Sequence, residues 1–413
     1  MAAAPGSAPD EARSIVLGVA GGIAAYKACG LLRLFAEAGH DVTVVPTEAA
    51  LHFVGAVTWA ALSGREVATD VWHAAAGVPH VSIGQRADLV IVAPATADLM
   101  ARAAHGLADD LLTNTLLTAR CPVIMAPAMH TEMWQHPATA ANIATLRARG
   151  VLVVDPASGR LTGADTGPGR LPEPEELFAI ASSVLRRGTA ATDLAGRRVV
   201  ISAGGTREAI DPVRFLGNRS TGRQGYALAR AALARGASVT LVAANVALPD
   251  PHGATVVPVV SARDLQSAVV AAAADADAVV MAAAVADFRP AGAAEVKIKK
   301  DSLAGPPAIA LAENPDILAE LVRRRAPGQV IVGFAAETGD ERGSVIEHGM
   351  AKLRRKGCDL MVINPVGVDL AFGTPDNEAT IVGADGRSIT VPRGPKEALA
   401  DALWDVVLAR LGR

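Results

Sequence analysis

Cysteine is nearly absent from this 413-residue chain: Cys29, Cys121 and Cys358 are its three, far apart and in no C-x-x-C pair. Such spacing suggests neither a disulfide framework nor a thiolate zinc site, and a reducing cytoplasm is the simplest home. Aromatic residues make up 3% against 51% hydrophobic residues, so the cores must be built from Ala, Val, Leu and Ile. That composition suits parallel sheets, whose strands are buried on both faces and read as unbroken aliphatic runs. An excess of one charge is lacking too, and the net charge of -3 gives no general reason to expect nucleic acid or an acidic membrane as partner. No run is long and apolar enough to span a bilayer, because the Ala-Val tract 268–286 is broken by Asp275 and Asp277. The G-x-G-x-x-G fingerprint of a dinucleotide site is also missing.

What the chain does have is two glycine pairs, Gly21-Gly22 and Gly204-Gly205, each following an aliphatic strand and opening a new element. A turn without Cβ atoms lets backbone N–H groups approach a phosphate, so two such turns suggest two nucleotide sites. The strand 41–46 after the first turn begins with its acid, Asp41, and ends at Thr47. An NAD site wants an acid at the strand end to hold a ribose, so phosphate is favoured here and NAD is disfavoured.

Length predicts two domains. Residues 1–13, rich in Ala, Pro and Gly, read as a disordered leader. Residues 14–190 then alternate strands (14–20, 41–46, 88–93, 122–126, 151–154) with helices (23–38, 48–62, 97–104, 109–119, 132–149), and a helix 173–187 closes the half. The stretch 155–171 carries too much glycine for a packed element and reads as a candidate active-site lid. Residues 188–196 look like a linker, after which 191–413 restart the pattern. Strands are expected at 197–203, 238–243, 255–259, 278–283, 330–335 and 360–364, with a hairpin around Asp385-Gly386 and a final helix 395–411. Strands alternating with helices predict doubly wound parallel sheets in both halves, with ligands at the carboxyl ends of the strands.

In the first half, polar groups gather at those ends: Gly21-Gly22, Thr47, and Thr96 with Asp98; Asp109-Asp110 opens another helix. Singly, each is also what a helix cap supplies. His80 falls in a loop before the strand at 88, and His130 falls at the end of the strand at 122–126, where it could equally cap a helix. In the second half, Asn218-Arg-Ser-Thr-Gly222 precedes a helix as an anion-ready start. Asp287 ends a buried strand, Lys297 and Lys299 share one side if extended, and Lys352 and Lys356 share a helical face.

The order of the first set resembles the homo-oligomeric flavin-containing cysteine decarboxylases. The match covers Gly21 to Lys27, His80, Ala93-Pro-Ala-Thr-Ala-Asp98, Gly106 to Thr113, Ala126-Pro-Ala-Met129 and Gly167-Pro-Gly-Arg170. It implies FMN at Gly21, Gly22, Thr47, Thr96 and Asp98, with a catalytic His80. It also implies a reaction in which a cysteine thiol is oxidised, CO2 is lost to an enethiolate and hydride returns. Two positions depart from the family: His130 stands where Asn usually binds the substrate carboxylate, and Gly163 stands where a lid Cys usually donates a proton. His130, Asp165 or a trapped water is the expected substitute.

The second set resembles the ligase half of the bacterial bifunctional phosphopantothenoylcysteine decarboxylase/phosphopantothenate-cysteine ligases of coenzyme A biosynthesis. The match includes Ser202 to Glu208, Asp211-Pro-Val-Arg214, Asn218-Arg-Ser, Gln224-Gly-Tyr226, Lys297-Ile-Lys-Lys300, Asn314-Pro-Asp-Ile317 and Val332 to Thr338. It implies two consecutive Rossmann-like three-layer α/β domains, a flavodoxin-like decarboxylase and then a nucleotide-binding ligase, taking 4'-phosphopantothenate, cysteine and CTP with Mg²⁺. Met281, Ala282, Ala283, Asp287, Lys297, Pro315, Asp316, Ile317, Leu318, Phe334, Lys352 and Lys356 would hold CTP, and Asn218 the acyl cytidylate. No metal ligands are assigned. Flavin sites between subunits in the family imply a closed homo-oligomer. The rivals are an NAD-linked dehydrogenase and, because the lid cysteine is missing, a flavoprotein regulatory subunit without decarboxylase activity.

Overall fold

Aliphatic runs form buried strands, and the stretches between them form helices, in the computed structural model, which describes residues 12–67, 79–160, 166–299, 308–340, 343–366 and 376–412. The readings made on residues 1–11 of the leader and on Gly163, Asp165 and Lys300 lie outside the described residues. The chain divides into two compact units, Met1–Thr192 and Asp193–Arg413.

The first unit runs β1 (Ser14–Val19), α1 (Ala25–Glu37), β2 (Asp41–Pro46), α2 (Glu48–Leu51), α3 (Ala56–Ser63), α4 (Pro79–Arg86), β3 (Leu89–Ala95) and α5 (Ala97–His105). It continues through α6 (Leu111–Thr118), β4 (Val123–Pro127), α7 (Thr131–Gln135), α8 (Pro137–Ala148), β5 (Leu152–Val153), β6 (Ala157–Arg160), β7 (Thr166–Arg170) and α9 (Pro174–Arg187). Its five-stranded parallel sheet has the order β2-β1-β3-β4-β5. Successive side chains of β1 leave by opposite faces, which makes three layers. Ile15, Leu17 and Val19 join Phe35 of α1 and Leu177 of α9, whereas Val16 joins Leu99 of α5, Leu111 of α6 and Leu146 of α8.

Two expected helices are each broken in two. The 48–62 helix stops at Leu51 and restarts after Gly55, and the 132–149 helix restarts at Pro137, which lacks the N–H that an unbroken helix needs. The glycine-rich lid is not an unpacked loop: β6 and β7 pair as an antiparallel ladder. Its glycines permit close approach, since a Cβ on Gly167 would lie 2.4 Å from the Thr131 hydroxyl oxygen.

The second unit runs β8 (Arg198–Gly204), β9 (Arg207–Ala209), β10 (Phe215–Gly217), α10 (Arg223–Ala234), β11 (Ser238–Ala244), β12 (Thr255–Val259), α11 (Ala262–Ala273), β13 (Ala278–Met281) and β14 (Phe288–Pro290). After these come β15 (Leu311–Glu313), α12 (Ile317–Arg324), β16 (Val330–Glu337), α13 (Val345–Lys356), β17 (Leu360–Pro365), β18 (Asp376–Gly383), β19 (Ser388–Pro395) and α14 (Lys396–Leu411). The eight-stranded sheet is ordered β12-β11-β8-β13-β16-β17-β18-β19, parallel except for the β18–β19 hairpin and its pairing with β17. Val199, Ile201 and Ala203 pack toward α10 and α14, while Val200 packs toward α11 and α12.

The expected linker is mostly exposed but is pinned at two buried residues. Ala190 belongs to the core of the first unit and Leu194 to that of the second. Arg235, 1% exposed, anchors the second unit's beginning: it donates to both carboxylate oxygens of Asp193 at 2.7 Å and to Asp405 at 2.8 Å. Arg235→Met keeps the buried stem and deletes the guanidinium. It should cost about 2–3 kcal/mol and lower the unfolding midpoint of the second unit alone; unchanged calorimetric midpoints would show that the cluster contributes nothing.

Candidate active sites

In a parallel sheet every strand delivers its carboxyl end to one edge, and the crevice opens where strand order reverses. In the first unit that point lies between β1 and β3, where the Ala20 amide just after β1 donates to the Pro94 carbonyl near the end of β3 at 3.1 Å. The two glycines of the first pair have different tasks. A Cβ on Gly21 would lie 2.4 Å from that of Ala49, so Gly21 lets the turn close on α2; a Cβ on Gly22 would meet nothing within 4 Å. The N-cap of α1, Ala24, offers no side-chain bond. Thr47 and Thr96 cap α2 and α5, accepting from the amides of Ala50 at 3.2 Å and Leu99 at 3.3 Å. A hydroxyl used in this way still carries an O–H donor.

Asp98 lies beside Thr96, but its carboxylate accepts from Arg102 at 3.1 Å. Arg102 also donates to Asp109 at 2.7 Å and Asp110 at 2.8 Å. Burial works against the Arg102 charge, yet its bonds to Asp110 and Asp109 outweigh that and raise its pKa. For Asp110, burial is likewise overcome, here by the Thr113 amide and hydroxyl and by Arg102, and the carboxyl stays below its ordinary range.

His80 is not in a loop: its backbone lies in the first turn of α4, where Pro79 occupies the first helical position that proline favours. His130 is exposed at the N-cap position of α7 but makes no capping bond. The residues on either side of it are tied to β7, through the Met129 amide to the Gly169 carbonyl at 3.0 Å and the Thr131 hydroxyl to the Pro168 carbonyl at 2.9 Å. The lid ladder therefore sits against the His130 turn. Lys27, met in the sequence only as part of a motif, holds the exit of the ladder by donating to the Leu171 carbonyl at 3.0 Å and to Glu173 at 2.8 Å.

In the second unit the order reverses between β8 and β13, and a cavity of about 810 Å³ opens on the β13 side. It gathers Met281 at the end of β13 with Ala282, Ala283 and Asp287 after it, Pro315, Asp316, Ile317 and Leu318 at the start of α12, and Phe334 from β16. Lys352 and Lys356 of α13 and Asn218 ahead of α10 complete the expected set within it. Lys297 is not among the lining residues and lies in the exposed segment 291–299. The Gly204-Gly205 pair does not line the cavity either, contrary to the sequence reading. Gly204 has φ +86°, and a Cβ there would lie 2.0 Å from the Ala244 carbonyl, while one on Gly205 would lie 2.9 Å from the Asn218 carbonyl. This pair is glycine so that the backbone behind the cavity can close, and the polar wall is supplied by Asn218–Gln224.

Two of the three lysines that line the cavity are already paired with carboxylates. Lys352 reaches Glu337 at 3.4 Å, and Lys356 is bonded to Asp316, which also caps α12 by accepting from the Ala319 amide at 3.1 Å. Burial alone would raise the Asp316 pKa, but the Lys356 bond and that amide prevail and lower it. The sequence reading met Gln224 only as part of a motif and missed Asn377 and Lys396. Gln224 donates to the Lys396 carbonyl at 3.1 Å and accepts from Asn377 at 3.0 Å, while the Lys396 ammonium donates to the Asp376 carbonyl at 3.0 Å. Burial draws the Lys396 pKa down. Among the described residues, no group of three or more His, Cys, Asp or Glu side chains could hold a metal, and no helix is long and apolar enough to cross a membrane.

Comparison with known proteins assigns both units. Residues 4–186 match the Flavoprotein family, and residues 194–411 match the DNA/pantothenate metabolism flavoprotein C-terminal domain family. The coenzyme A biosynthesis bifunctional protein CoaBC of Mycobacterium tuberculosis (strain ATCC 25618 / H37Rv) is 58% identical over 406 residues, covering 97% of both chains. The protein of the same name from Bacillus subtilis (strain 168) is 44% identical over 385 residues, covering 92% of this chain and 93% of its own. A crystal structure of the C-terminal domain of a CoaBC protein is 35% identical, covers 54% of this chain and 99% of its own, and has a TM-score of 0.45. With near-complete coverage at this identity, the chain belongs to the CoaBC family of bifunctional coenzyme A biosynthesis proteins.

Proposed function

We propose that this chain ligates cysteine to 4'-phosphopantothenate through an acyl cytidylate made from CTP, then decarboxylates 4'-phosphopantothenoylcysteine to 4'-phosphopantetheine with FMN. The observation that carries this reading is the second unit's cavity, where segments far apart in sequence bring together main-chain groups, an aromatic ring, two lysines and an asparagine. Membership of the CoaBC family supports it and argues against the dehydrogenase and the regulatory subunit.

In the ligation, the substrate carboxylate attacks the α-phosphorus of CTP and pyrophosphate leaves. The cysteine amine then attacks the acyl carbon and CMP leaves. Main-chain groups of Met281–Ala283 and Pro315–Leu318, with the Phe334 ring, are assigned to base and sugar. Lys297, Lys352 and Lys356 are assigned to the phosphates and Asp287 to the same end of the nucleotide; Mg²⁺ bound with the nucleotide would, like the lysines, offset the charge that develops as pyrophosphate departs. Asn218 hydrogen-bonds the acyl cytidylate and holds it for the amine.

The first unit fits a flavin mononucleotide. The open backbone at Gly22, the start of α1 without a side-chain cap, and the Thr47 and Thr96 hydroxyls meet at the switch point of the sheet and suit a phosphate. Bound FMN would accept and return a hydride at the carbon bearing the thiol. His80 is assigned to proton transfer at the thiol. His130 is assigned to the substrate carboxylate and, after CO2 leaves, to protonation of the enethiolate carbon, and the β6–β7 ladder beside it excludes water. Asp98 shares Arg102 with Asp109 and Asp110, which ties the first turn of α5 to the start of α6. A cytoplasmic setting and a homo-oligomer belong to the same reading.

Incubation with phosphopantothenate, cysteine, CTP and Mg²⁺ should release pyrophosphate and CO2 in equal amounts. Pyrophosphate without CO2 would confine the activity to the second unit. Replacing His130 by Ala should slow CO2 release by roughly a hundredfold and leave pyrophosphate release unchanged; a His130→Asn enzyme with undiminished turnover would remove the histidine from proton transfer. Asn218→Asp should form acyl cytidylate but slow its consumption by about tenfold or more, read as accumulation of the cytidylate in quenched reactions. Full-rate consumption would sink the role of Asn218.

A further inference from the structure

Between β9 and β10 the chain turns through Ile210–Arg214, and a carboxylate sits at its centre. Asp211 is 3% exposed. One of its oxygens accepts from the amides of Val213 and Arg214, both at 2.8 Å, which fixes the turn. The other accepts from the Arg214 guanidinium at 3.0 and 2.6 Å and from the amide of Ile298 at 3.1 Å. The same Arg214 nitrogen that closes this pair also donates to the Ile298 carbonyl at 2.7 Å. A carboxylate offers about four acceptor sites, so Asp211 is saturated by protein donors and is not available to a ligand. The Arg214 bonds hold it ionised despite its burial, well below the usual carboxylate range.

Ile298 lies 87 residues from Asp211 in sequence. Four residues before it, the Ala294 amide donates to the Ile210 carbonyl at 2.9 Å, at the other end of the same turn. The segment between these anchors contains Lys297 and Val296, which is 76% exposed. The structure thus has an arch with both feet on the turn 210–214, and Lys297 stands beside the foot at Ile298. On the other side of the turn, β10 leads directly to Gly217 and Asn218, which line the cavity.

We infer that Asp211 is the positioning residue for Lys297: its carboxylate, with Arg214, fixes the main chain at Ile298 and so sets where the lysine is presented. The inference rests on the reading that puts Lys297 on the nucleotide phosphates. Lysine reaches a phosphate as a flexible point charge, and its stem holds no register of its own. A fixed backbone at its base is what limits the volume that the ammonium explores.

Asp211→Asn keeps the shape and an acceptor for the turn amides, but turns an amide N–H₂ toward the Arg214 guanidinium or the Ile298 amide. In the full-length protein with CTP, it should lower kcat/KM for CTP in pyrophosphate release by roughly tenfold to a hundredfold. Decarboxylation of supplied phosphopantothenoylcysteine should be unchanged, which controls for folding and expression. The double variant with Lys297→Ala should be no worse than Lys297→Ala alone. Multiplicative losses would overturn the inference, because Asp211 would then act elsewhere. Trypsin supplies a readout independent of activity: cleavage after Lys297 and Lys299 should be faster in Asp211→Asn than in the unmodified chain, and equal rates would overturn the pinning. If Lys297→Ala leaves kcat/KM for CTP unchanged, the phosphate role of Lys297 fails, and the trypsin comparison alone decides the pinning. Should Asp211→Asn not fold, Arg214→Gln leaves the turn amides bonded to Asp211 and removes the Ile298 carbonyl bond. It should show the same accelerated cleavage, and its absence would overturn the inference.

Discussion

The cavity of the second unit exists because β8 and β13 stay joined after their sheet ladder ends. The Ala284 amide donates to the Gly204 carbonyl at 2.8 Å, and the Thr206 amide donates to the Ala284 carbonyl at 3.1 Å. Side chains extend the seam: the Ser202 hydroxyl accepts from the Ala283 amide at 3.1 Å, and the Thr206 hydroxyl accepts from the Ala286 amide at 2.9 Å. These groups are buried, so each unmade bond would carry a desolvation cost of about 1–3 kcal/mol. The seam therefore leaves residues 282–286 little freedom. Asn314 adds a second restraint, donating from its side chain to the Ala286 carbonyl and from its amide to the Asp287 carbonyl, both at 2.8 Å. The start of α12 is thereby placed opposite the end of β13, and the cavity is the space between them.

This seam also explains why the two glycine pairs look alike in sequence and differ in structure. At Gly21-Gly22 one glycine serves packing and its neighbour leaves open space for a ligand. At Gly204-Gly205 both positions are filled by protein backbone, from Ala244 and Asn218. A sequence shows that a Cβ is absent but not what occupies its place. The same limit applies to the lid. The glycines of 155–171 read as a loop because no side-chain pattern marks the ladder, yet Gly167 is needed for contact with Thr131, residues distant in sequence.

The elements that were legible are those whose signal is local. Aliphatic runs located the strands of both sheets to within a few residues, and Asp110, Thr47 and Thr96 are at the caps their residue types suggested. Lys352 and Lys356, four apart, do share one face of α13 toward the cavity. What was not legible depends on partners far along the chain. The Gln224 contacts to Asn377 and Lys396 span 153 and 172 residues, and none of the three residues is unusual in its own neighbourhood. Lys396 begins a helix, which by itself reads as an exposed surface position, and only the fold buries it.

Under the proposed function, the pairing of Lys352 and Lys356 bears on how a site for a consumed nucleotide would differ from one for a retained cofactor. Lys352 and Lys356 already hold Glu337 and Asp316, so a triphosphate entering the cavity must share or displace those carboxylates. Part of each lysine's attraction for phosphate is offset by the loss of its existing partner, and partly exposed pairs of this kind contribute only about 0–1 kcal/mol each. The arrangement keeps these two ammonium groups ordered, with part of their charge offset, beside the other cations of the cavity wall, Arg219, Arg223 and Lys396. That suits chemistry in which pyrophosphate must leave in every cycle, because binding that is equally strong for reactant, transition state and product slows release without accelerating the step. The first unit has the opposite requirement. A Cβ on Gly22 would meet nothing within 4 Å, and the hydroxyls of Thr47 and Thr96 are oriented by the helices they cap, so under the same reading a retained phosphate would meet groups already held in place.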